Sequence, residues 1–253
     1  RKFWKKGEDL MRAIETNNLT KKYKDVTAVD DLCLSVEQGE LFALLGVNGA
    51  GKTTTIKMLS CLTAPTSGDA RLLGDSVVTA PMKVKEKINL SPQETAVAPN
   101  LTVRENLEFI CGIYGITKEE AAGKTEDMIK RCSLDEIAGK KAGTLSGGWQ
   151  RRLSIAMALI SEPDILFLDE PTLGLDVLAR RELWEMIEGL KGKVTVVLTT
   201  HYLEEAESLS DRIGIMAGGR LSAVGTAEEL MKKAGKEKFE EAFVALCRGG
   251  SLS

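Results

Sequence analysis

The sequence predicts an α/β fold built on a mainly parallel sheet, with an N-terminal antiparallel β subdomain and an inserted α-helical subdomain. Three observations predict it. "LFALL", "DILFLDE" and "KVTVVLTT" are apolar almost throughout, as suits strands buried on both faces of a parallel sheet. "VDDLCLSVEQGE" alternates instead, with Leu32, Leu34 and Val36 on one side and Asp31, Cys33 and Ser35 on the other, the period-two mark of a half-buried strand. Between the first and second apolar runs, residues of about 95–162 carry successive helix signals that interrupt the strand-and-helix alternation.

Along the chain, residues 1–10 precede Met11, whose "MRAIETNNLTKKY" reads as a natural beginning. They are expected to be a tag remnant or a disordered tail. The alternative makes Phe3, Trp4 and the neighbouring lysines a membrane-surface anchor or the end of a preceding domain. Residues 11–234 form the expected folded domain. Within its inserted region, Thr102 and Glu105 make a capping-box pattern ahead of "NLEFICGIYG", and Gly115 can close that helix. Thr117 and Glu120 repeat the signal before a helix expected to end near Cys132. "RIGIMAGGRLSAVG" reads as two short strands about Gly218-Gly219, and residues 235–253 as a weakly helical C-terminal tail.

The 253 residues carry 34 Lys+Arg against 37 Asp+Glu, a net charge of −3, so nothing in the balance points to nucleic acid as a partner. The five cysteines stand far apart with a single histidine to help, which favours free thiols in a reducing compartment over a metal site. No apolar run approaches the roughly 18 residues of a membrane span, and "RKFWKKGEDL" lacks the apolar core of a signal peptide. The expectation is a cytoplasmic protein.

"LLGVNGAGKTT" places Gly46, four residues, then Gly51-Lys52-Thr53 between an apolar strand and a helix, the spacing of a phosphate-binding loop and hence of a P-loop NTPase core. In such a loop, backbone N–H groups of Gly46, Asn48, Gly49, Ala50 and Gly51 turn inward on an anion, and the helix that follows offers its positive end. Lys52 is expected on the β- and γ-phosphates, the Thr53 hydroxyl on Mg²⁺ and Thr54 near the α-phosphate. "ILFLDEP" ends a buried strand with Asp169, a candidate Mg²⁺ ligand, and Glu170, which can orient and deprotonate an attacking water. "LSGGWQRRLSIAMALI" then sets Ser146, Gly147 and Gly148 at the start of a second helix that a phosphate can approach.

From Met11 to about Ala234 these motifs, in this order, resemble the ATP-binding-cassette (ABC) ATPases. Taken singly, Tyr23, Gln93, Asp176 and His201 have ordinary structural readings. Under the resemblance, Tyr23 stacks on adenine, Gln93 belongs to the loop leading into the helical subdomain with a catalytic and metal role, and Asp176 follows the catalytic glutamate. His201 becomes the switch histidine that contacts the γ-phosphate.

The resemblance also implies a head-to-tail homodimer or heterodimer, in which ATP held at Lys52 of one subunit is covered by Ser146 and Gly148 of the other. Trp149 departs from the glutamine common in the family signature, and Val47 from a common proline; neither removes a chemical group that the mechanism needs. The wording around the motifs resembles a bacterial exporter branch. It implies an ATPase subunit working with separate transmembrane permease subunits on the inner face of the cell membrane. An importer subunit, a soluble ABC ATPase acting on translation or DNA, and a cytoplasmic half of a longer membrane polypeptide remain open.

Overall fold

Residues 12–249 are described by the computed structural model. The stretch 1–10, with its expected tag, tail or anchor, lies outside the described residues. In chain order, β1 (Arg12–Tyr23), β2 (Val26–Leu32) and β3 (Ser35–Glu37) lead into β4 (Leu41–Leu45) and α1 (Lys52–Leu59). Next come β5 (Ser67–Leu72), β6 (Asp75–Ser76), α2 (Pro81–Lys85) and β7 (Ile88–Ser91). The inserted region holds α3 (Val103–Ile113), α4 (Lys118–Arg131) and α5 (Gly147–Leu159). After it run β8 (Ile165–Asp169), α6 (Val177–Glu188), β9 (Thr195–Thr200), α7 (Leu203–Leu209), β10 (Arg212–Ala217), β11 (Arg220–Gly225), α8 (Ala227–Ala234) and α9 (Phe239–Gly249).

The apolar runs form the centre of a six-stranded sheet in the order β11-β10-β4-β9-β8-β7, parallel except for the β10–β11 hairpin at its edge. Both faces are apolar because each face has its own core. Leu41, Ala43 and Leu45 join the helices of the inserted region, whereas Phe42 and Leu44 join α1 and the second sheet. Leu166 and Leu168 divide from Ile165 and Phe167 in the same way. Period two persists in these strands but is hidden from a polarity pattern; truncating one such residue to Ala costs about 2–5 kcal/mol.

The second sheet is antiparallel, ordered β2-β1-β5-β6 with β3 also on β1. The alternation of "VDDLCLSVE" survives, with Leu32, Leu34 and Val36 buried, but it is split between β2 and β3.

The inserted region does not build a separate core. Leu107, Met128 and Ile129 share one cluster with Leu168 and Val196. On α5, residues 151–159 are buried, so this helix lies under the sheet as much as within the insertion.

Thr102 and Glu105 complete their capping box, and Gly115 (φ 71) stops α3. Thr117 caps α4 through Glu120 N, but the Glu120 carboxylate accepts from the Thr117 hydroxyl rather than from its N–H, so only half of a box forms. Gly218 and Gly219 both take positive φ (56° and 82°), the requirement of a type I′ hairpin turn. The segment after residue 234, read as a weakly helical tail, turns at Gly235 and folds back as α9, burying Phe239 and Ala242.

Candidate active site

Gly46 leaves β4 with its N–H on Thr200 O (3.3 Å), which ties the loop to the neighbouring strand β9. The loop then needs backbone that only glycine supplies comfortably. Gly51 has φ 103°, and a Cβ there would stand 2.5 Å from Ala28 O. The first residue of α1 is Lys52, 5% exposed, whose ammonium donates to Gly46 O (2.7 Å) and Val47 O (3.3 Å). The lysine thus spans the loop from inside, at the positive end of its helix.

The same ammonium lies 3.2 Å from Glu170 Oε1. Glu170 follows the last residue of β8, is 6% exposed, and takes φ 48°. A non-glycine residue in that region costs of order 1–3 kcal/mol and persists only where its surroundings fix it. Here they do: its N–H is held by Thr199 Oγ1 (3.0 Å) and Thr199 O (3.2 Å), and its Oε2 lies 2.8 Å from His201 Nδ1. One carboxylate therefore touches both Lys52 and His201.

Asp169 sits beside this group. Its Oδ1 accepts from Thr199 Oγ1 (2.6 Å) and Thr53 Oγ1 (3.1 Å). A hydroxyl and a carboxylate converging at the mouth of a phosphate loop are hard oxygen donors. They fit Mg²⁺, an ion that takes one or two protein oxygens and completes its shell with phosphates and water.

A cavity of about 520 Å³ opens in front of these groups, lined by residues 48–54, Gln93, Glu170 and His201, together with Ala28 and Leu173. The Gln93 loop is held in place by Arg151 of α5, whose guanidinium donates to Pro92 O (2.6 Å) and Gln93 O. Burial lowers the Arg151 pKa, and the charge of Asp169 opposes the shift.

Other expected residues lie elsewhere. Tyr23, half exposed, ends β1 at a hairpin tip with the Lys21 ammonium 5.0 Å from its ring, outside the cavity lining. Ser146 occupies the N-cap position of α5 but makes no capping hydrogen bond, and it and Gly147 are exposed. Gly148 packs closely on α6, where a Cβ would meet Ala179 Cβ at 2.9 Å. Asp176 caps α6 through Leu178 N (2.9 Å) and Ala179 N (3.0 Å) and is itself exposed. The second helix terminus thus faces outward and is no part of this chain's own cavity.

Sequence reasoning missed Thr199, which holds the Asp169 carboxylate and the Glu170 backbone N–H, and Arg151, which holds the Gln93 loop. Neither belongs to a spacing pattern. Each acts across a distance in sequence that only the fold closes.

Residues 29–173 match the family model described as "ABC transporter". The chain belongs to the ABC transporter family. Among curated ABC relatives, it is 41% identical over 239 residues to the probable multidrug ABC transporter ATP-binding protein YbhF of Escherichia coli, covering 92% of this chain and 41% of that protein. It is also 41% identical over 225 residues to the daunorubicin/doxorubicin resistance ATP-binding protein DrrA of Streptomyces peucetius, covering 88% of this chain and 68% of that one.

The chain thus spans less than half the length of YbhF. Among solved structures, the dimeric post-hydrolysis state of the ABC cassette MJ0796 bound to ADP and Pi superposes with a TM-score of 0.76 at 28% identity, over 84% of this chain and 98% of that one. The ABC assignment agrees with the expected α/β architecture.

Proposed function

We propose that this chain binds and hydrolyses ATP as the ATPase subunit of an ABC transporter. In this reading it closes head-to-tail with a second ATPase subunit and drives export of a small molecule, lipid or peptide through separate transmembrane permease subunits. The observation that carries the reading is the meeting of Lys52 and His201 on the two oxygens of the buried Glu170, at 3.2 and 2.8 Å, facing the phosphate loop.

The chemistry follows from those contacts. Backbone N–H groups of the loop and the α1 terminus bind the phosphates. Lys52 exchanges its bonds to Gly46 O, Val47 O and Glu170 for phosphate oxygens. Glu170, released from the lysine, accepts the proton of the attacking water while His201 keeps it oriented. Thr53, Asp169 and Gln93 are the residues to hold Mg²⁺, which when bound supplies charge neutralisation between the β- and γ-phosphates. Tyr23 serves as the adenine platform from its exposed hairpin tip.

Ser146, Gly147 and Gly148 complete the site of the partner, and Asp176 lies along that interface. Their outward placement supports this, as does the dimeric cassette among the solved structures. Export as the direction is supported by the drug-related names of YbhF and DrrA.

No helix among the described residues is long and apolar enough to cross a membrane, which fits a peripheral position on the inner face of the cell membrane. The permease docks on α3. Phe109, Ile113 and Tyr114 form an exposed apolar ridge there, whereas Arg104 is paired with Glu126 (2.9 Å) and Glu105 closes the α3 cap. The ridge is therefore the part to alter.

The test is co-purification of a tagged Glu170→Gln variant from detergent-solubilised membranes of its host, with ATP and Mg²⁺. Recovery of an integral membrane protein, lost in a Phe109→Ser/Ile113→Ser double variant, is the expected result. Recovery of ribosomal or DNA-bound proteins alone contradicts the transporter reading.

A further inference from the structure

Glu205 has no exposed surface and stands on α7, four residues beyond His201. It does not line the nucleotide cavity, and no step above uses it. A carboxyl group is costly to bury unless it is bonded, so its presence calls for a reason. Its Oε1 accepts from Trp184 Nε1 of α6 at 3.0 Å. Its Oε2 is buried without a hydrogen-bond partner, as is Thr172 Oγ1, two residues after Glu170. The hydroxyls of Thr172 and Thr200 lie near enough to this carboxyl to oppose the upward push of burial on its pKa, without a hydrogen bond to Oε2. Glu205 therefore sits behind the turn that carries Glu170 and the strand end that carries His201, with α6 on its other side.

A second link runs over the surface of the same junction. The Arg180 guanidinium of α6 lies 5.6 Å from the Trp184 ring and 5.7 Å from the Tyr202 ring, and the Tyr202 and His201 rings lie 4.2 Å apart, tilted by 39°. The helix that supplies Arg180 and Trp184 begins at the exposed Asp176.

We propose that Glu205 is a positioning residue for ATP hydrolysis: bonded to Trp184, it fixes the backbone under Glu170 and His201 to α6. The proposal rests on the ATPase reading above. It gives α6 a task in that reaction. A neutral side chain of the same shape serves equally well, because the role is to accept from Trp184 Nε1 and fill the space beside Thr172.

Steady-state ATP turnover of purified wild type, Glu205→Ala, Glu205→Gln and Trp184→Phe tests it, with melting temperatures taken alongside. A misplacement of about 1 Å can cost around 10²-fold in rate, so Glu205→Ala is expected to lose on the order of 10²-fold in kcat with the KM for ATP nearly unchanged. Trp184→Phe keeps the ring but deletes the donor, and is expected to lower kcat in the same direction. Glu205→Gln restores turnover to near wild type.

Wild-type kcat in Trp184→Phe, or a Glu205→Gln variant as slow as Glu205→Ala, overturns the proposal. So does a loss expressed in KM alone. If Glu205→Ala does not fold, the contrast between Trp184→Phe and Glu205→Gln still decides. A wild-type protein without turnover instead brings down the ATPase reading, a different result from active wild type with indifferent variants.

Discussion

Lys52 and Glu170 form a 3.2 Å ion pair with 5% and 7% of their side chains exposed, so the lysine of the phosphate loop and the carboxylate opposite it are held together within the folded chain. Removing one member of a buried pair strands the other, at a cost of about 3–5 kcal/mol. Glu170 keeps His201 as a second partner, and Lys52 keeps the carbonyls of Gly46 and Val47, so neither is wholly abandoned.

Lys52→Met is accordingly expected to lower stability by about 3 kcal/mol, at the low end of the range for broken buried pairs. Glu170→Gln, which preserves shape, is expected to lower it less. Urea denaturation of the nucleotide-free variants checks this. Equal stability of Lys52→Met and wild type would remove the pair from the account.

Mixing tests the outward-facing α5 terminus. Ser146→Arg and Lys52→Met are each expected to lack ATP turnover alone. A mixed dimer gathers both defects in one site and leaves the other intact, so combining the two proteins restores turnover. No restoration across a range of mixing ratios would mean that Ser146 does not serve a partner's site.

The local features were legible in the sequence and the tertiary ones were not. The Thr102–Glu105 box, the Gly218-Gly219 turn and the Gly51-Lys52-Thr53 loop each depend on neighbours a few residues apart, so spacing carries the information. Arg151 reaches Gln93 O across 58 positions and Thr199 reaches Asp169 across 30. Such contacts exist only once β7, β8 and β9 lie side by side over α5.

The helicity of α9 was legible only weakly. Phe239, Ala242, Phe243 and Leu246 follow a helical period, but the charges of "KEK" before them and of Glu240 and Glu241 among them dilute it, and the packing surface that rewards it lies on distant parts of the chain.

Glu205 gives stability a pH dependence. Burial pushes its carboxyl above the usual range, and Thr200, Thr172 and Trp184 pull against that shift. A raised folded-state value means that the unfolded chain releases the proton first. The contribution is fully present below the unfolded value of about 4.3 and is lost as pH rises through the folded value. Glu205→Gln cannot ionise, so it is expected to gain on wild type as pH is raised through that window. Denaturation midpoints for both proteins over a pH series decide; a constant difference between them would contradict the burial argument.

The cysteines should differ in reactivity. Burial pushes the Cys132 thiol up to about 12, with Arg131 and Arg152 acting weakly against it, whereas Cys33 is exposed. Only a thiolate attacks an alkylating agent. Iodoacetamide at mildly alkaline pH is expected to label Cys33 in the folded protein and to label Cys132 only after denaturation, as peptide mass spectrometry would read. Early labelling at Cys132 would contradict the closed packing of α4 on α5.

The most direct test of ATP-driven closure is sedimentation of the Glu170→Gln variant with and without ATP and Mg²⁺, beside the Glu170→Gln/Ser146→Arg double variant. A nucleotide-dependent dimer that retains unhydrolysed ATP, and that is lost in the double variant, is the predicted result. A monomer at saturating ATP, or a dimer indifferent to Ser146→Arg, would contradict the account.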